Sequence, residues 1–345
     1  MIDLRSDTLS MPTKEMLESI TIDKLGDAGR LDSYGRGEDR AVNELEDYSS
    51  NLLKKDRALF FSSGTLANNA ALLTHCNAGD KVLIDEIIHI YKSEKFTFTS
   101  KGGNLTPLFY KLDENGTPSI ESLREQLENN NVKLLIIENS HNFAGGTCIT
   151  LEKLKDISDV AKAYNVKIHM DGARLFNAAE SLNVKPWEIV KYVDSVMFCL
   201  SKGLGAPMGS LLLGDFKFIQ KATEVKKMLG GNMRQAGVIA SPGLYALKNN
   251  LKFLREDNEN AKLFSKLLDN IKNVRVQKNV ETNIVMLDVK DSGLSAEEYC
   301  SRLREKGLLI RPVLENKVRL VFYKDISREE TEKAAKIILE LDDEL

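Results

Sequence analysis

Short apolar runs and helical segments alternate along the chain from about residue 38, and this order constrains the fold more than any other feature. The apolar runs have the length of strands, and the segments between them carry apolar residues at helical spacing. Strands that alternate with helices predict an α/β fold in which helices flank a mostly parallel sheet. The predicted strands are 57–61, 81–85, 132–138, 166–171 and 194–200, and the predicted helices are 38–55, 64–76, 119–130 and 151–165.

The character of the chain changes near residue 250. A strongly charged helical segment, 248–264, is followed by short strands (VRVQ, NIVMLDV, LLIR and KVRLVF) that two further helical segments separate. We therefore predict a large domain of residues 1–249, which includes the N-terminal segment, and a small α+β domain of residues 250–345.

Composition and charge exclude several classes of function. The chain of 345 residues has a net charge of −3, which favours neither a nucleic acid nor a membrane surface as partner. No apolar stretch approaches the roughly 20 residues that a membrane span needs, and the start MIDLRSD lacks the apolar segment of a signal peptide. Four cysteines and four histidines show no metal-ligand spacing. We predict a cytoplasmic protein with reduced thiols and no bound metal.

Polar residues follow three of the predicted strands, at the sheet edge where α/β proteins bind ligands. Asp171 either caps a helix or presents its carboxylate to a ligand. Residues 62–65 (SSGT) either cap the next helix or bind a phosphate through free backbone N–H groups. Their glycine pattern matches neither G-x-x-x-x-G-K-[ST] nor G-x-G-x-x-G. Lys202 either extends to solvent or acts as an amine nucleophile.

The combination of these three features favours pyridoxal 5′-phosphate (PLP) as the cofactor. A helix N-terminus suits the phosphate, and a lysine can carry the aldehyde as a Schiff base. A carboxylate keeps the pyridine nitrogen protonated, so that the ring accepts electrons. The segment between Asp171 and Lys202 is long enough for a helix and one further strand. A Schiff-base aldolase without PLP would need neither the carboxylate nor the phosphate site.

Several motifs resemble those of the low-specificity L-threonine aldolases, which belong to the β-eliminating lyase group of fold-type I PLP enzymes. The resemblance covers most of the chain and includes IDLRSDT, SSGTLAN and IENSHNFAGG. Its most specific parts are HMDGARLFNA (169–178), DSVMFCLSKGLGAPMGS (194–210) and KKMLGGNMRQAG (226–237). The resemblance implies a fold-type I PLP-dependent transferase-like fold. It also implies retro-aldol cleavage of L-threonine or L-allo-threonine to glycine and an aldehyde.

The resemblance further implies roles for individual residues around the cofactor. Lys202 would hold PLP covalently, and Asp171 would pair with the pyridine nitrogen. His89 would stack on the ring and is our candidate base for the substrate hydroxyl, although its apolar neighbours alone favour a packed histidine. The phosphate group would be bound by Gly64, Thr65 and Ser201.

The substrate carboxylate would bind two arginines. The resemblance assigns this role to Arg174 and Arg319, with Ser6 nearby, and a guanidinium suits it because its fork donates two parallel hydrogen bonds. The residues alone favour solvated charges on a loop and on a strand.

Two further residues imply an active site at a subunit interface. Arg234 resembles the residue that contacts the phosphate of a neighbouring subunit, and Lys227 resembles a lysine at the mouth of the site. Lys227 is equally compatible with a solvated helix face. We therefore expect a homo-oligomer, a dimer or a tetramer, in which Tyr34 also crosses the interface.

The chain departs from the family pattern at four places, all of which we expect on the substrate side: 34–42 (YGRGEDRAV), 129–133 (NNNVK), 230–232 (GGN) and Phe322-Tyr323. The β-substituent and the threo/erythro preference of the substrate therefore stay open. Another PLP reaction, either β-elimination from a β-substituted amino acid or transamination, is the alternative function. A third hypothesis is a protein that binds PLP without catalysis. The presence of Lys202, Asp171 and Arg174 disfavours this hypothesis.

Overall fold

The computed structural model describes residues 1–345. The strands are β1 (Ile2–Asp3), β2 (Arg57–Phe61), β3 (Lys81–Ile84), β4 (Thr106–Phe109), β5 (Val132–Glu138), β6 (Lys167–Asp171), β7 (Ser195–Cys199), β8 (Ser210–Gly214), β9 (Arg275–Val276), β10 (Ile284–Asp288), β11 (Leu308–Leu309), β12 (Arg311–Leu314) and β13 (Lys317–Val321). The α-helices are α1 (Lys14–Glu18), α2 (Arg40–Leu53), α3 (Gly64–His75), α4 (Ile120–Asn129), α5 (Leu151–Ala163), α6 (Leu175–Leu182), α7 (Pro186–Val190), α8 (Phe216–Met228), α9 (Gly237–Asn249), α10 (Leu254–Leu267), α11 (Ala296–Glu305) and α12 (Arg328–Asp342).

Seven strands form the main sheet in the order β2–β8–β7–β6–β5–β3–β4. Strand β8 is antiparallel to both of its neighbours, and all other neighbouring pairs are parallel. The predicted α/β fold with a mostly parallel sheet is therefore confirmed. Strand β8, which follows the glycine-rich loop after Lys202, was not among the predicted strands.

The main sheet is buried on both faces, as is usual where helices cover a parallel sheet. All five residues of β7 and all five of β8 are buried, and so are six of the seven residues of β5. These strands belong to the sheet that runs through the largest apolar cluster, which has 41 buried residues. Burial of this apolar surface, at about 25 cal/mol per Å², is the main source of stability for the sheet.

A second apolar cluster of 24 buried residues lies in the C-terminal part of the chain. It packs beside a four-stranded antiparallel sheet in the order β12–β13–β10–β9. Strand β1 pairs in parallel with β11, and Ile2 and Leu4 are members of this second cluster. The N-terminal segment thus joins the C-terminal core, whereas we had grouped it with residues 1–249. The division of the chain at residue 249 stays a prediction.

Side-chain caps fix the start of the helices that matter for the site. The Ser63 hydroxyl accepts a hydrogen bond from the backbone N–H of Leu66 at the start of α3, and the Asp39 carboxylate does the same for Val42 in α2. Such a cap stabilises a helix by about 1 kcal/mol. Helix α3 therefore begins at a defined point, directly after the carboxyl end of β2.

The carboxyl ends of the parallel strands meet at one edge of the sheet. Strand β2 ends before residues 62–65, β6 ends at Asp171, and β7 ends three residues before Lys202. This edge is where ligands of open α/β sheets bind. None of the helices is both long enough and apolar enough to cross a membrane.

Candidate active site

A cavity of about 370 Å³ opens at this edge of the sheet. Its walls come from the N-terminal segment and from the connections that follow β2, β3, β6 and β7. Six residues predicted from the sequence line it together: Gly64, Thr65, His89, Asp171, Ser201 and Lys202.

The start of α3 forms an anion-binding corner of the cavity. The backbone N–H groups of Gly64 and Thr65 have no hydrogen-bond partner within the chain, as expected for the first turn of a helix. A Cβ atom on Gly64 would lie 2.8 Å from Cε of Met197 and 3.0 Å from Sγ of Cys199. Glycine therefore lets the helix N-terminus approach the sheet closely, and its dipole favours a negatively charged ligand.

Asp171 lies at the floor of the cavity with only 1% of its surface exposed. One carboxylate oxygen, Oδ1, accepts the backbone N–H of Ala173 at 3.0 Å, and the other, Oδ2, accepts the side-chain amide of Asn68 at 3.0 Å. The N-cap of α6 is Arg174, and Oδ1 of Asp171 binds a backbone N–H in the turn before that helix, so the N-cap interpretation of Asp171 was wrong. The second oxygen belongs to a hydrogen-bond network that the sequence did not reveal.

Asn68 connects several polar groups beneath the cavity. Its amide nitrogen donates to Asp171 and also to Oε1 of Glu94 at 3.1 Å, and its amide oxygen is 3.2 Å from Nε2 of His169. All hydrogen-bonding groups of this buried side chain are therefore used. Asparagine is unfavourable inside a helix, so its position one turn after Gly64, on the buried face of α3, is the signal that could have identified it.

A chain of hydrogen bonds continues from Asn68 below α3. Nδ1 of His169 is 2.9 Å from the Ser195 hydroxyl, which is 2.7 Å from Nε2 of His75 at the other end of the helix. Burial lowers the pKa of His169 to about 4 and that of His75 to about 3. Both rings are thus neutral at pH 7. Because the Asn68 oxygen only accepts, each link of the chain donates toward Asp171.

His89 lines the cavity with 33% of its side chain exposed, so it is not a core histidine. Its backbone N–H donates to Oε2 of Glu138 at 3.0 Å, and its ring lies 6.2 Å from the ring of Phe143 at an angle of 16°. Nδ1 is 3.2 Å from Oε1 of Glu94. Glu94 and Asn68 are site residues that our sequence analysis missed.

Lys202 lies in the loop between β7 and β8, half-buried in the cavity wall. Its ammonium group makes no ion pair or hydrogen bond within the chain. Its carbonyl accepts the N–H of Gly205 at 2.8 Å, and Gly205 has a φ of +74°, which suits glycine. This turn directs the chain back into β8. Lys202 therefore has an unpaired terminal nitrogen and lines the same cavity as the buried carboxylate of Asp171.

Arg174 and Arg319 are both 5% exposed, which rules out solvated charges. The Arg174 fork is already engaged, because its Nε and Nη2 donate to the two carboxylate oxygens of Asp7 at 2.6 and 2.8 Å. Burial opposes the charge of Arg174, but Asp7 outweighs it and raises the pKa of Arg174. Asp7, the residue after Ser6, was not among the predicted site residues, and the role of Ser6 toward the substrate stays a prediction. The Ser6 hydroxyl accepts hydrogen bonds from Thr8 instead.

Arg319 has a free donor. Its Nη1 donates to the Asn142 side-chain oxygen at 2.6 Å and its Nη2 to the carbonyl of Arg5 at 3.2 Å, but its buried Nε has no partner. Burial, followed by the charge of Arg174, lowers the pKa of Arg319 to about 10. The same Asn142 oxygen is 3.3 Å from Nη1 of Arg174, so Asn142 bridges the two guanidinium groups.

Arg234, Lys227 and Tyr34 lie outside this cavity. Arg234 pairs with Asp27 at 2.9 Å and keeps 70% of its side chain exposed, and Lys227 and Tyr34 are exposed as well. The neighbouring Lys226 is the buried lysine of the pair, and burial lowers its pKa. Among the residues that line the cavity, Lys202 is the only one with a lysine or arginine side chain.

None of the four departures from the family pattern lines the cavity, contrary to our expectation. Phe322 is buried in the second apolar cluster, and the Tyr323 hydroxyl donates to the carbonyl of Asp3 at 3.1 Å. Residues 129–133 lie at the end of α4 and the start of β5, which is the opposite edge of the sheet.

The cavity also holds a set of groups with the chemistry of metal ligands. One ligand atom each from His89, Glu94 and Asp171 lies within 4.8 Å of the others. A cation bound there would replace the contacts of Glu94 and Asp171 with Asn68. The spacing of these residues in the sequence gave no indication of this cluster.

Comparisons with known proteins identify the family. Residues 3–292 match the β-eliminating lyase family. The chain belongs to the β-eliminating lyase family. It is 37% identical to low-specificity L-threonine aldolase 1 of Arabidopsis thaliana, over 94% of this chain and 92% of the relative. It is 36% identical to the low specificity L-threonine aldolase of Escherichia coli K12, over 97% of both chains.

The fold of this β-eliminating lyase family member also matches solved structures. A threonine aldolase from Leishmania major has a TM-score of 0.79 at 18% identity, and the match covers 99% of this chain and 100% of the other. At this identity the likeness concerns the fold alone. The fold-type I class and the family predicted from the sequence are both confirmed.

Proposed function

We propose that the protein is a PLP-dependent aldolase that cleaves L-threonine and L-allo-threonine, or related β-hydroxy-α-amino acids, to glycine and an aldehyde. One observation carries the proposal: the unpaired amine of Lys202 shares a cavity with the buried carboxylate of Asp171 and the free N–H groups of α3. The relatives named low-specificity L-threonine aldolase, at 36–37% identity over nearly the whole chain, support this reaction.

The donor set of the cavity fits PLP, on which β-eliminating lyases and threonine aldolases generally depend. Lys202 would hold the aldehyde carbon, Asp171 the pyridine nitrogen, and Gly64, Thr65 and Ser201 the phosphate. When bound, PLP supplies an electron sink that makes cleavage of the substrate Cα–Cβ bond possible. Asp171 would suit this role because it is buried and is held by hydrogen bonds from the Asn68 amide and the backbone N–H of Ala173.

The arginines would orient the substrate through its carboxylate. Arg319 has the unpaired Nε donor for this role, whereas the fork of Arg174 is held by Asp7. We infer that Arg174 positions Asp7 and Asn142 and adds positive charge, and that Arg319 makes the direct contact. A fixed carboxylate sets the rotation about the bond that breaks, which is an orientation effect.

His89 is the group best suited to take the proton from the substrate hydroxyl. It lines the cavity, it is partly exposed, and one ring nitrogen is free of contacts within the chain. A positioned base of this kind contributes typically 10²- to 10⁴-fold to a rate. Transfer of the proton to His89 leaves the electron pair on oxygen, from which the aldehyde carbonyl forms.

The decisive test is product analysis with the PLP-loaded protein. Glycine and acetaldehyde released from L-threonine or L-allo-threonine establish the aldolase, and their ratio of rates gives the stereochemical preference. Lys202→Ala is expected to abolish both the products and the absorbance band of the Schiff base, and the exposed Lys217→Ala is the matched control. A keto acid product in place of glycine would instead favour β-elimination or transamination.

We further propose that a partner subunit completes the phosphate site. PLP carries a phosphate dianion, and the cavity offers it hydroxyl and N–H groups but no arginine. Arg234 is exposed on the surface, as are Tyr34 and Lys227, so these side chains are available to a second copy of the chain. A dimer or tetramer with shared active sites follows.

A further inference from the structure

A single turn of π-helix follows His89. It spans Ile90–Glu94 and is closed by a hydrogen bond of 3.1 Å from the N–H of Lys95 to the carbonyl of Ile90. In an α-helix, residues five apart point in directions about 140° apart, since each residue turns by about 100°. The wider π-turn brings them to the same side, and such turns are frequent at functional sites. His89 and Glu94 are five residues apart.

This turn holds the Glu94 carboxylate against one nitrogen of the His89 ring. Oε1 of Glu94 is 3.2 Å from Nδ1, and the Glu94 side chain is only 4% exposed. The same oxygen accepts a hydrogen bond from the Asn68 amide at 3.1 Å, and Oε2 is buried without a partner. A buried carboxylate needs donors, and Nδ1–H of His89 is the second donor within reach.

The Glu94 carboxylate fixes the direction of this hydrogen bond, because its oxygens act as acceptors. The nitrogen of the Asn68 amide can only donate, so Oε1 of Glu94 and Oδ2 of Asp171 both act as acceptors. A carboxylate has no proton to donate, so the hydrogen bond between Oε1 and the His89 ring requires a proton on Nδ1. The neutral ring then has no proton on Nε2, which is the nitrogen on the side of the imidazole away from Glu94.

We propose that Glu94 is a positioning residue that holds the proton of His89 on Nδ1 and thereby leaves Nε2 as the base for the substrate hydroxyl. The proposal rests on the proposed aldolase function. During the reaction the hydroxyl O–H bond breaks, its electron pair stays on oxygen, and a new bond joins the proton to Nε2. The imidazolium that forms is neutralised by Glu94, an arrangement that general-base histidines of hydrolases share.

The tautomer of His89 can be observed directly. The chain has four histidines, so ¹⁵N NMR of the PLP-loaded protein with labelled imidazole rings gives four spin systems, and His89→Asn identifies the one from His89. We expect the Nδ1–H form in the wild type and a shift toward the Nε2–H form in Glu94→Gln, because the new amide donates to Nδ1. The exposed Glu86→Gln is the matched control and leaves the spectrum unchanged.

Kinetics give the second measurement. Glu94→Gln should lower kcat for glycine release about 10²- to 10⁴-fold, the range of a general base in the wrong tautomer, with little change in KM. Glu94→Asp, which keeps an acceptor, should recover part of the loss. An Nε2–H form of His89 in the wild type would overturn the proposal, and so would Glu94→Gln with unchanged tautomer and kcat.

Failure of the proposed function has a different signature. If the wild type released no glycine from either amino acid while the Nδ1–H form was present, the substrate assignment would fail and the role of Glu94 toward His89 would stand. If Glu94→Gln did not fold, the wild-type tautomer alone would decide, since the Nε2–H form contradicts the proposal without any variant.

Discussion

The roles of the two arginines of the site depend on a long-range contact that could not be predicted from the sequence. The resemblance implied that Arg174 and Arg319 bind the substrate carboxylate, whereas the residues alone favoured solvated charges, and both side chains are buried. It could not reveal that Asp7, at the far end of the chain, already occupies the fork of Arg174, because that contact joins residues 167 positions apart. The pairing with Asp7 divides the two arginines into different roles.

This division predicts different outcomes for matched substitutions. Arg319→Lys loses the free Nε donor and the fork, so KM for the amino acid should rise about 10- to 100-fold with little loss of stability. Arg174→Met leaves Asp7 buried and unpaired, so it should lower the free energy of unfolding by about 3–5 kcal/mol. Steady-state kinetics and urea denaturation separate the two effects.

The exposed Arg311→Lys on β12 is the control for a conservative change near Arg319. A large KM effect from Arg174→Lys, with Arg319→Lys close to wild type, would contradict this division of roles.

At the scale of elements, the sequence predicted where strands end, but it did not predict the irregular turn that brings Glu94 to His89. Apolar runs and helical spacing identified β6, β7 and α3, and they thereby located Asp171, Lys202 and the anion-binding corner. The π-turn after His89 was out of reach, because its residues, IYKSE, carry no pattern that distinguishes a π-helix from the end of an α-helix. Glu94 could not be recognised without that turn.

The polar chain below α3 predicts a dependence of stability on pH. The folded protein holds His169 with a pKa of about 4, whereas an unfolded histidine titrates near 6.5. Below pH 6.5 the unfolded chain therefore binds a proton that the folded chain does not, so stability falls as the pH decreases toward 4. The loss for His169 should approach roughly 3 kcal/mol at pH 4.

Urea denaturation at several pH values measures this loss. His169→Gln can keep hydrogen bonds to Asn68 and Ser195 but does not titrate, so its free energy of unfolding should fall less steeply between pH 6.5 and 4 than that of the wild type. His75→Gln, at the other end of the chain of hydrogen bonds, should have a similar effect because burial lowers the pKa of His75 to about 3. If the free energy of unfolding depended on pH equally in all three proteins, neither histidine ring would be kept neutral in the folded state.

At the scale of the whole molecule, the local patterns predicted the layers but not the long-range pairing. The C-terminal strands and helices were identified as a separate group, yet β1 pairs with β11 across almost the entire chain. A two-residue strand has too few residues for any periodicity, and its pairing depends on the apolar cluster that receives Ile2 and Leu4. This pairing carries Asp7 to Arg174 and so helps to build the site.

The quaternary prediction can be tested by mixing inactive variants. If Arg234 serves the phosphate of a neighbouring subunit, Lys202→Ala and Arg234→Ala should each be inactive or nearly so on their own. In a mixed oligomer, some sites combine the intact Lys202 of an Arg234→Ala subunit with the intact Arg234 of a Lys202→Ala subunit. Random pairing of the subunits makes about a quarter of the sites complete, so the cleavage rate should recover to about a quarter of the wild-type rate. If Arg234 acts within its own subunit, no mixed site has both residues and mixing restores nothing. Refolding the two variants together, with each refolded alone as the control, therefore decides whether the exposed position of Arg234 reflects a shared active site.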